Sequence, residues 1–191
     1  MYAFLETLRD IPERVTDPLM GEIRLRWWYE AIEEIDEGRA PRYHPLTEAL
    51  QGLIERYNLA AKDFYDLIEG QMPLLDSGAL TIKDALTVAD RGEGIVTRLA
   101  SLILGKSQDL TPIARLTGMA WIKMTRGISD VSATEFAHLR RDAVASGRGL
   151  PVELMPLALP AVLASAHWHG RTHGPLAKRL RLLWAYVSGT I

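Results

Sequence analysis

The chain has 191 residues, 48% of them apolar and 24% charged, with a net charge of −2 at pH 7. These are the proportions of a globular protein long enough to bury a substantial core. The near-neutral charge gives no basic face for nucleic acid. The absence of cysteine excludes disulfides, thiolate metal sites and a cysteine nucleophile, and is compatible with a cytoplasmic location.

The N-terminal MYAFLETLRD has early acids and no apolar run of secretory length. No stretch of about 18 uninterrupted apolar residues is present, so no transmembrane helix is expected. The richest candidate, 152–168, is broken by Glu153, Pro156 and Pro160.

In chain order, Tyr2 to Val15 reads as a helix with Phe4, Leu8 and Ile11 on one face, weakened by Pro12. Asp17-Pro18 is a helix start, an N-cap acid followed by proline at the first helical position. The helix it opens, running to about Gly38, is expected in the middle of the fold. Ile23, Trp27, Ala31 and Ile35 form its apolar stripe, and Leu25, Trp28 and Ile32 widen it. Glu22, Arg26, Glu30 and Glu33 lie opposite, spaced for i,i+4 ion pairs. Arg24 sits between two apolar stripes and is expected to point into a cavity.

After the polar connector GRAPRYH, His44-Pro45 starts a helix marked by Leu46, Leu50, Leu53 and Ile54 and ending near Asn58. Asp63 to Leu75 reads as the next, with Phe64, Leu67, Ile68 and Met72 inward and Pro73 kinking or ending it. Thr81-Ile82-Lys83-Asp84 resembles a capping box. The helix it opens runs toward Leu104, but Gly92 and Gly94 in its middle predict a break or a close backbone approach.

Thr111-Pro112 opens a helix with Ile113, Leu116, Ala120, Met124 and Gly127 on one face. Ser132 to Glu135 is a capping box for a helix ending near Gly147. Leu150-Pro151 begins an apolar segment ending at Gly170. Gly174-Pro175 starts a last basic amphipathic helix, with Leu176, Leu180, Leu183 and Trp184 expected inward. No stretch shows sustained period-two alternation. The expectation is one all-α domain of eight or nine helices over 1–191.

The stretch Pro18 to Trp28, PLMGEIRLRWW, closely resembles a signature of the squalene/phytoene synthase family, whose bacterial members read roughly P-L-x-G-E-I-R-L-Q-W-W. Met1-Tyr2-Ala3-Phe4 is similar to the family's L-Y-A-F, which opens a ligand-lining helix. Asp66 to Gly70 resembles D-L-I-x-G, Leu99 to Gly105 resembles L-A-x-L-x-L-G, and Gly147 to Pro151 resembles the G-R-x-Y-L-P turn without its tyrosine.

The resemblance implies the all-α isoprenoid synthase bundle and head-to-head condensation of isoprenoid diphosphates. That chemistry needs aspartate-rich helix faces holding Mg²⁺ against a diphosphate, and an apolar tunnel that shelters carbocations from water. Tyr2, Asp10, Glu13, Arg24 and Trp27 are the substrate-side residues it implies.

The aspartate motifs depart from the family pattern. The first, D-D-x-x-D, falls on Arg9-Asp10-Ile11-Pro12-Glu13, where Arg9 puts a cation in a metal-ligand position. The second, N-x-x-R-D-x-x-x-D, falls either near Thr125 to Ser129, where no aspartate matches, or on Arg141-Asp142, where one survives and Ser146 replaces the other. The family's segment before L-Y-A-F has no counterpart, so the domain is expected to be short relative to active members.

The combination resembles the non-catalytic branch typified by the complex I assembly factor. The expected function is therefore a non-catalytic lipid- or isoprenoid-binding or assembly factor with no confident catalytic residue or cofactor. The alternative is an active prenyltransferase using Asp10, Glu13 and Asp142 around Mg²⁺. A third reading is a truncated chain whose exposed apolar groove is satisfied by homodimerisation.

His167, His169 and His173 read as a helix-end loop rather than a zinc site, since Gly170 and Gly174 break the helix. Arg24, Arg98, Arg115 and Lys123 are ordinary surface charges or the lining of a diphosphate pocket. Gly92-Glu93-Gly94 lacks the remainder of a P-loop and reads as a close-packing site. The basic last helix, with Lys178, Arg179 and Arg181, is either a solvated face or a peripheral contact with a membrane or a protein partner. The inner membrane is the membrane the resemblance suggests.

Overall fold

The computed structural model describes residues 1–190. Among them no β-strand occurs. The one extended pairing is an isolated parallel bridge between Leu80 and Ile128, closed by Leu80 N–H to Gly127 O at 3.1 Å and Ser129 N–H to Leu80 O at 2.9 Å. The fold is all-α, as the absence of period-two patterning requires. The chain divides into two compact units, Met1–Ser77 and Gly78–Ile191.

The first unit holds α1 (Tyr2–Arg14), α2 (Pro18–Asp36), α3 (Pro45–Tyr57), α4 (Ala61–Glu69) and a 3₁₀ turn, Met72–Leu74. Here α2 packs against α1, α3 and α4. Asp17 caps α2 by accepting the Leu19 N–H at 3.0 Å, and His44 caps α3 through Nδ1, which accepts the Leu46 N–H at 3.1 Å. Pro12 does not end α1. It is buried within the helix, which runs on to Arg14.

The buried face of α2 is Gly21, Leu25, Trp28, Ala31, Ile32 and Ile35. Two expectations are thereby corrected: Ile23 is 53% exposed and Arg24 is exposed rather than turned into a cavity. The two apolar stripes of α2 are unequal. The stripe through Leu25, Trp28 and Ile32 reaches the core, and rotating the helix to seat it swings Ile23 outward. Phe4 closes the packing, with its ring 5.4 Å from Trp28 and 6.2 Å from Phe64. Met72 is corrected too. It is exposed, and Leu74, two residues on, is buried in its place because the 3₁₀ turn at Pro73 changes the helical phase.

The second unit holds α5 (Ile82–Ala89), a π-helical turn (Asp90–Gly94), α6 (Ile95–Ile103), α7 (Thr111–Thr125), α8 (Ala133–Ser146), α9 (Met155–Ala158), α10 (Ala161–Trp168) and α11 (Pro175–Ser188). Its central element is α7, which packs against α5, the π turn, α6, α8 and α10. Accordingly Ile113, Ala114, Leu116, Gly118, Met119, Ala120 and Ile122 are all buried, nearly the whole circumference. Met124, expected inward, is exposed in the last turn.

The capping box of α8 forms as read. Ser132 Oγ accepts the Glu135 N–H at 3.2 Å, and Glu135 Oε2 accepts the Ser132 N–H at 2.7 Å. At α11 the expectation is reversed: Leu176, Leu180, Leu183 and Trp184 are all exposed, and Ala185 is the buried residue of that helix. The amphipathic period is present with its apolar side turned away from the core.

Candidate functional site

In the first unit the functional candidates lie on α1 and α2. Tyr2 opens α1, 38% exposed. Asp10 and Glu13, three residues apart, share one side of the helix. Glu13 is exposed, and Asp10 Oδ2 accepts from Arg14 Nη2 at 2.8 Å. Arg9 is buried at 7% exposure, with Nη1 3.2 Å from Glu6 Oε1. Two carboxylates, one of them engaged by Arg14, on a helix whose Arg9 is buried, do not fit a Mg²⁺–diphosphate clamp, which needs several oxygens free to bind metal. Among the described residues no three His, Asp or Glu side chains gather into a metal-holding group.

Trp27 is half-buried and belongs to an aromatic and ionic cluster that the sequence did not reveal. Its ring lies edge-on to Trp28, with centroids 4.8 Å apart, and 6.0 Å from the His44 ring. Arg42, in the connector between α2 and α3, stacks its guanidinium 5.2 Å above Trp27. It grips Glu34 with two charge-assisted bonds, Nη2 to Oε1 at 2.6 Å and Nε to Oε2 at 3.1 Å. It also reaches Glu30 Oε2 at 3.4 Å. This guanidinium holds the Glu34 carboxyl below its ordinary range through direct hydrogen bonding. Glu30 is lowered as well, first by its bond from Arg26 and then by Arg42. Arg42 is a clamp across the C-terminal half of α2, and its partners lie 8 and 12 residues upstream, a separation no local pattern signals.

In the second unit the π turn at Asp90–Gly94 marks where two glycines interrupt the helical ladder. The predicted break is a wider helical turn, and the predicted close approach falls on the facing helix, at Gly118. A Cβ built there would stand 2.7 Å from Ala89 Cβ, 2.7 Å from Glu93 Oε2 and 3.0 Å from Ala89 Cα. Glu93, Thr97 and Ser101 follow the i,i+4 period into the interior, all three buried.

Beside the π turn lies a cavity of about 510 Å³, lined by the apolar Ile95, Leu102 and Leu110 and by the charged Asp90, Arg98, Lys106, Asp109 and Arg115. Of the four cations suggested for a diphosphate pocket, it brings together Arg98 and Arg115. Lys123 is elsewhere, with Nζ 3.4 Å from Ile128 O, and Arg24 is an exposed residue of the first unit. Arg115 is bound to Asp90 through Nε–Oδ1 at 2.6 Å and Nη2–Oδ2 at 2.9 Å. This bidentate pair raises the Arg115 pKa and fixes its head at the cavity wall.

Asp109 shapes the loop. Hydrogen bonding from the Thr111 side chain, and then from the Thr111 N–H at 2.9 Å, holds its carboxyl below the ordinary range, and its carbonyl accepts from Ser146 Oγ at 2.9 Å.

Asp142, the surviving candidate of the second aspartate motif, is exposed on α8 beside the buried Ala143. His167 and His169 sit at the end of α10, and His173 in the loop after it. His169 Nδ1 lies 2.7 Å from Ser165 O. Burial pushes the His167 pKa down, and the charges of Lys178 and His173 push it further in the same direction.

A sequence profile for the family described as squalene/phytoene synthase matches residues 1–141. No curated protein and no solved structure matches the chain. The match covers both α1 and the tryptophan helix, and it runs into α8. It spans well over half of the 191 residues, and the chain therefore belongs to the squalene/phytoene synthase family.

Proposed function

We propose that the chain is a non-catalytic member of this family, a helical scaffold that binds an isoprenoid or another lipid or serves in assembly, in the manner of the complex I assembly factor branch it resembles. One observation carries the reading. Where the family's first aspartate motif falls, α1 has a buried Arg9 and an Asp10 carboxylate held by Arg14 at 2.8 Å. A condensing site stabilises a leaving diphosphate through metal bridged to carboxylates, and an arginine in that register supplies neither ligand nor metal charge. The cavity of the second unit supports ligand binding without condensation. Its lining mixes apolar side chains with Arg98, Lys106 and Arg115 against Asp90 and Asp109. Although Arg115 is paired with Asp90 and Lys106 with Glu153, the excess of cations on the lining suits an amphiphile with a prenyl tail and an anionic head.

The test is incubation with farnesyl or geranylgeranyl diphosphate and Mg²⁺. The expected result is no diphosphate release and no condensed product. Either product overturns the reading and favours the Mg²⁺-dependent prenyltransferase.

A further inference from the structure

The last helix carries an inference that depends neither on the family nor on the proposed function, since it lies beyond the matched residues. In α11 Leu176, Leu180, Leu183, Trp184 and Val187 are each at least 59% exposed. They fall at i, i+4, i+7, i+8 and i+11, which is one continuous stripe. The buried residue Ala185 and the half-buried Lys178 and Leu182 lie on the opposite side. Five large apolar side chains aligned in solvent on one short helix are not scattered surface residues; a contiguous patch of this kind marks a contact.

Charge selects the partner. Arg179 and Arg181 border the stripe on its two sides, as the 100° step per residue places them. From Leu154 to the end of the sequence there is no Asp or Glu, against Arg171, Lys178, Arg179 and Arg181. At the base of the helix, Arg181 joins Arg171, His169 and His173 around a recess of about 230 Å³, and guanidinium groups suit phosphate oxygens. Trp184 and Tyr186 add amphipathic rings of the type that settle at a lipid–water boundary.

At 14 residues the helix is about 21 Å long, too short to cross a bilayer. Among the described residues no helix is long and apolar enough to do so. Pairing of two α11 stripes about a two-fold axis would bring the arginine rows of both copies together with no acid on either helix to offset them.

We propose that α11 lies in the surface of an anionic bilayer, its leucine–tryptophan stripe among the acyl chains and Arg171, Arg179 and Arg181 on headgroup phosphates.

The test is co-sedimentation of the full chain with phosphatidylcholine vesicles, with and without phosphatidylglycerol. Binding is expected to the anionic vesicles, weakening as salt is raised. R179Q/R181Q is expected to weaken it roughly thirtyfold, and L180E at least about tenfold. Both variants alter exposed residues, and unchanged circular dichroism verifies their fold. Brominated acyl chains should quench the fluorescence of the wild type more than that of W184F, whose remaining tryptophans lie outside α11. Equal binding to neutral vesicles overturns the proposal. So does a chain that binds no vesicle but dissociates from dimer to monomer with L180E, since the stripe would then cover a second copy.

Discussion

Arg42 ties the connector after α2 to that helix through contacts the sequence pattern does not single out. Its side chain is 25% exposed, its partner Glu34 only 14%, so the bidentate bond is shielded more than an ordinary surface pair, which contributes little. Adding the Trp27 contact, R42A is expected to destabilise this unit by about 1–2 kcal/mol. Urea denaturation followed by tryptophan fluorescence measures it, since Trp27 and Trp28 report directly on the cluster.

The same pair predicts a pH dependence. Glu34 titrates below its ordinary value of 4.5 in the folded protein, so the unfolded chain binds more protons as acid is added. Its stabilisation is present above about pH 4.5 and is lost as pH falls through the lowered folded value. In R42A the stability curve should be flatter in this acid range. An unchanged slope would mean that the bond contributes nothing in solution. None of this was legible beforehand. Arg42 lay in a connector read as polar, Glu30 on a face read for i,i+4 pairing within the helix, and Glu34 was assigned to no face.

At the scale of elements, periodicity located nearly every helix and capping residues located their starts, because both signals are local. Asp17-Pro18, His44-Pro45 and Ser132–Glu135 begin helices where their chemistry says they should. Orientation is a different quantity. In α11 and at Ile23 the apolar stripe was visible, but which side meets the core depends on what already fills it. Around α7, packing by α5, α8 and α10 completes the interior without the α11 leucines.

The glycines show the same division. Gly92 and Gly94 announced an irregular helix, and the tight contact facing it falls at Gly118 on the opposing one. G118A should cost about 1–3 kcal/mol, because the new methyl meets the Ala89 backbone and not only a movable side chain. Gly52, in an exposed stretch of α3 with open space around its Cα, is the matching control. G52A should stabilise by about 0.5–1 kcal/mol through helix propensity alone. Thermal unfolding of the two variants against the wild type gives shifts of opposite sign if backbone contact at Gly118 is real.

For the whole molecule, fold class and family were readable because they reside in features spread along the chain: helical periods, and a PLMGEIRLRWW stretch within the matched region. Chemistry resides in a few oxygen atoms, and those were readable only as departures. An arginine beside Asp10 is visible in the sequence; that it is buried, and that Asp10 is taken by Arg14, required coordinates.

These facts make a prediction for the intact protein that is separate from turnover. A ligand that binds only the folded state stabilises it by RT ln(1 + [L]/Kd), about 2.7 kcal/mol at a hundredfold excess over Kd. A metal-bridged diphosphate would therefore raise the unfolding temperature of the full chain only when Mg²⁺ and farnesyl diphosphate are both present. With Asp10 engaged by Arg14 and an arginine at position 9, Mg²⁺ is expected to leave the midpoint unchanged, alone or with the diphosphate. Any stabilisation by farnesyl diphosphate should persist in EDTA and weaken in R115Q, which removes a cation from the cavity wall. A rise of several degrees that requires Mg²⁺ would place metal between protein and diphosphate, and Asp10 would then have to release Arg14 to bind it.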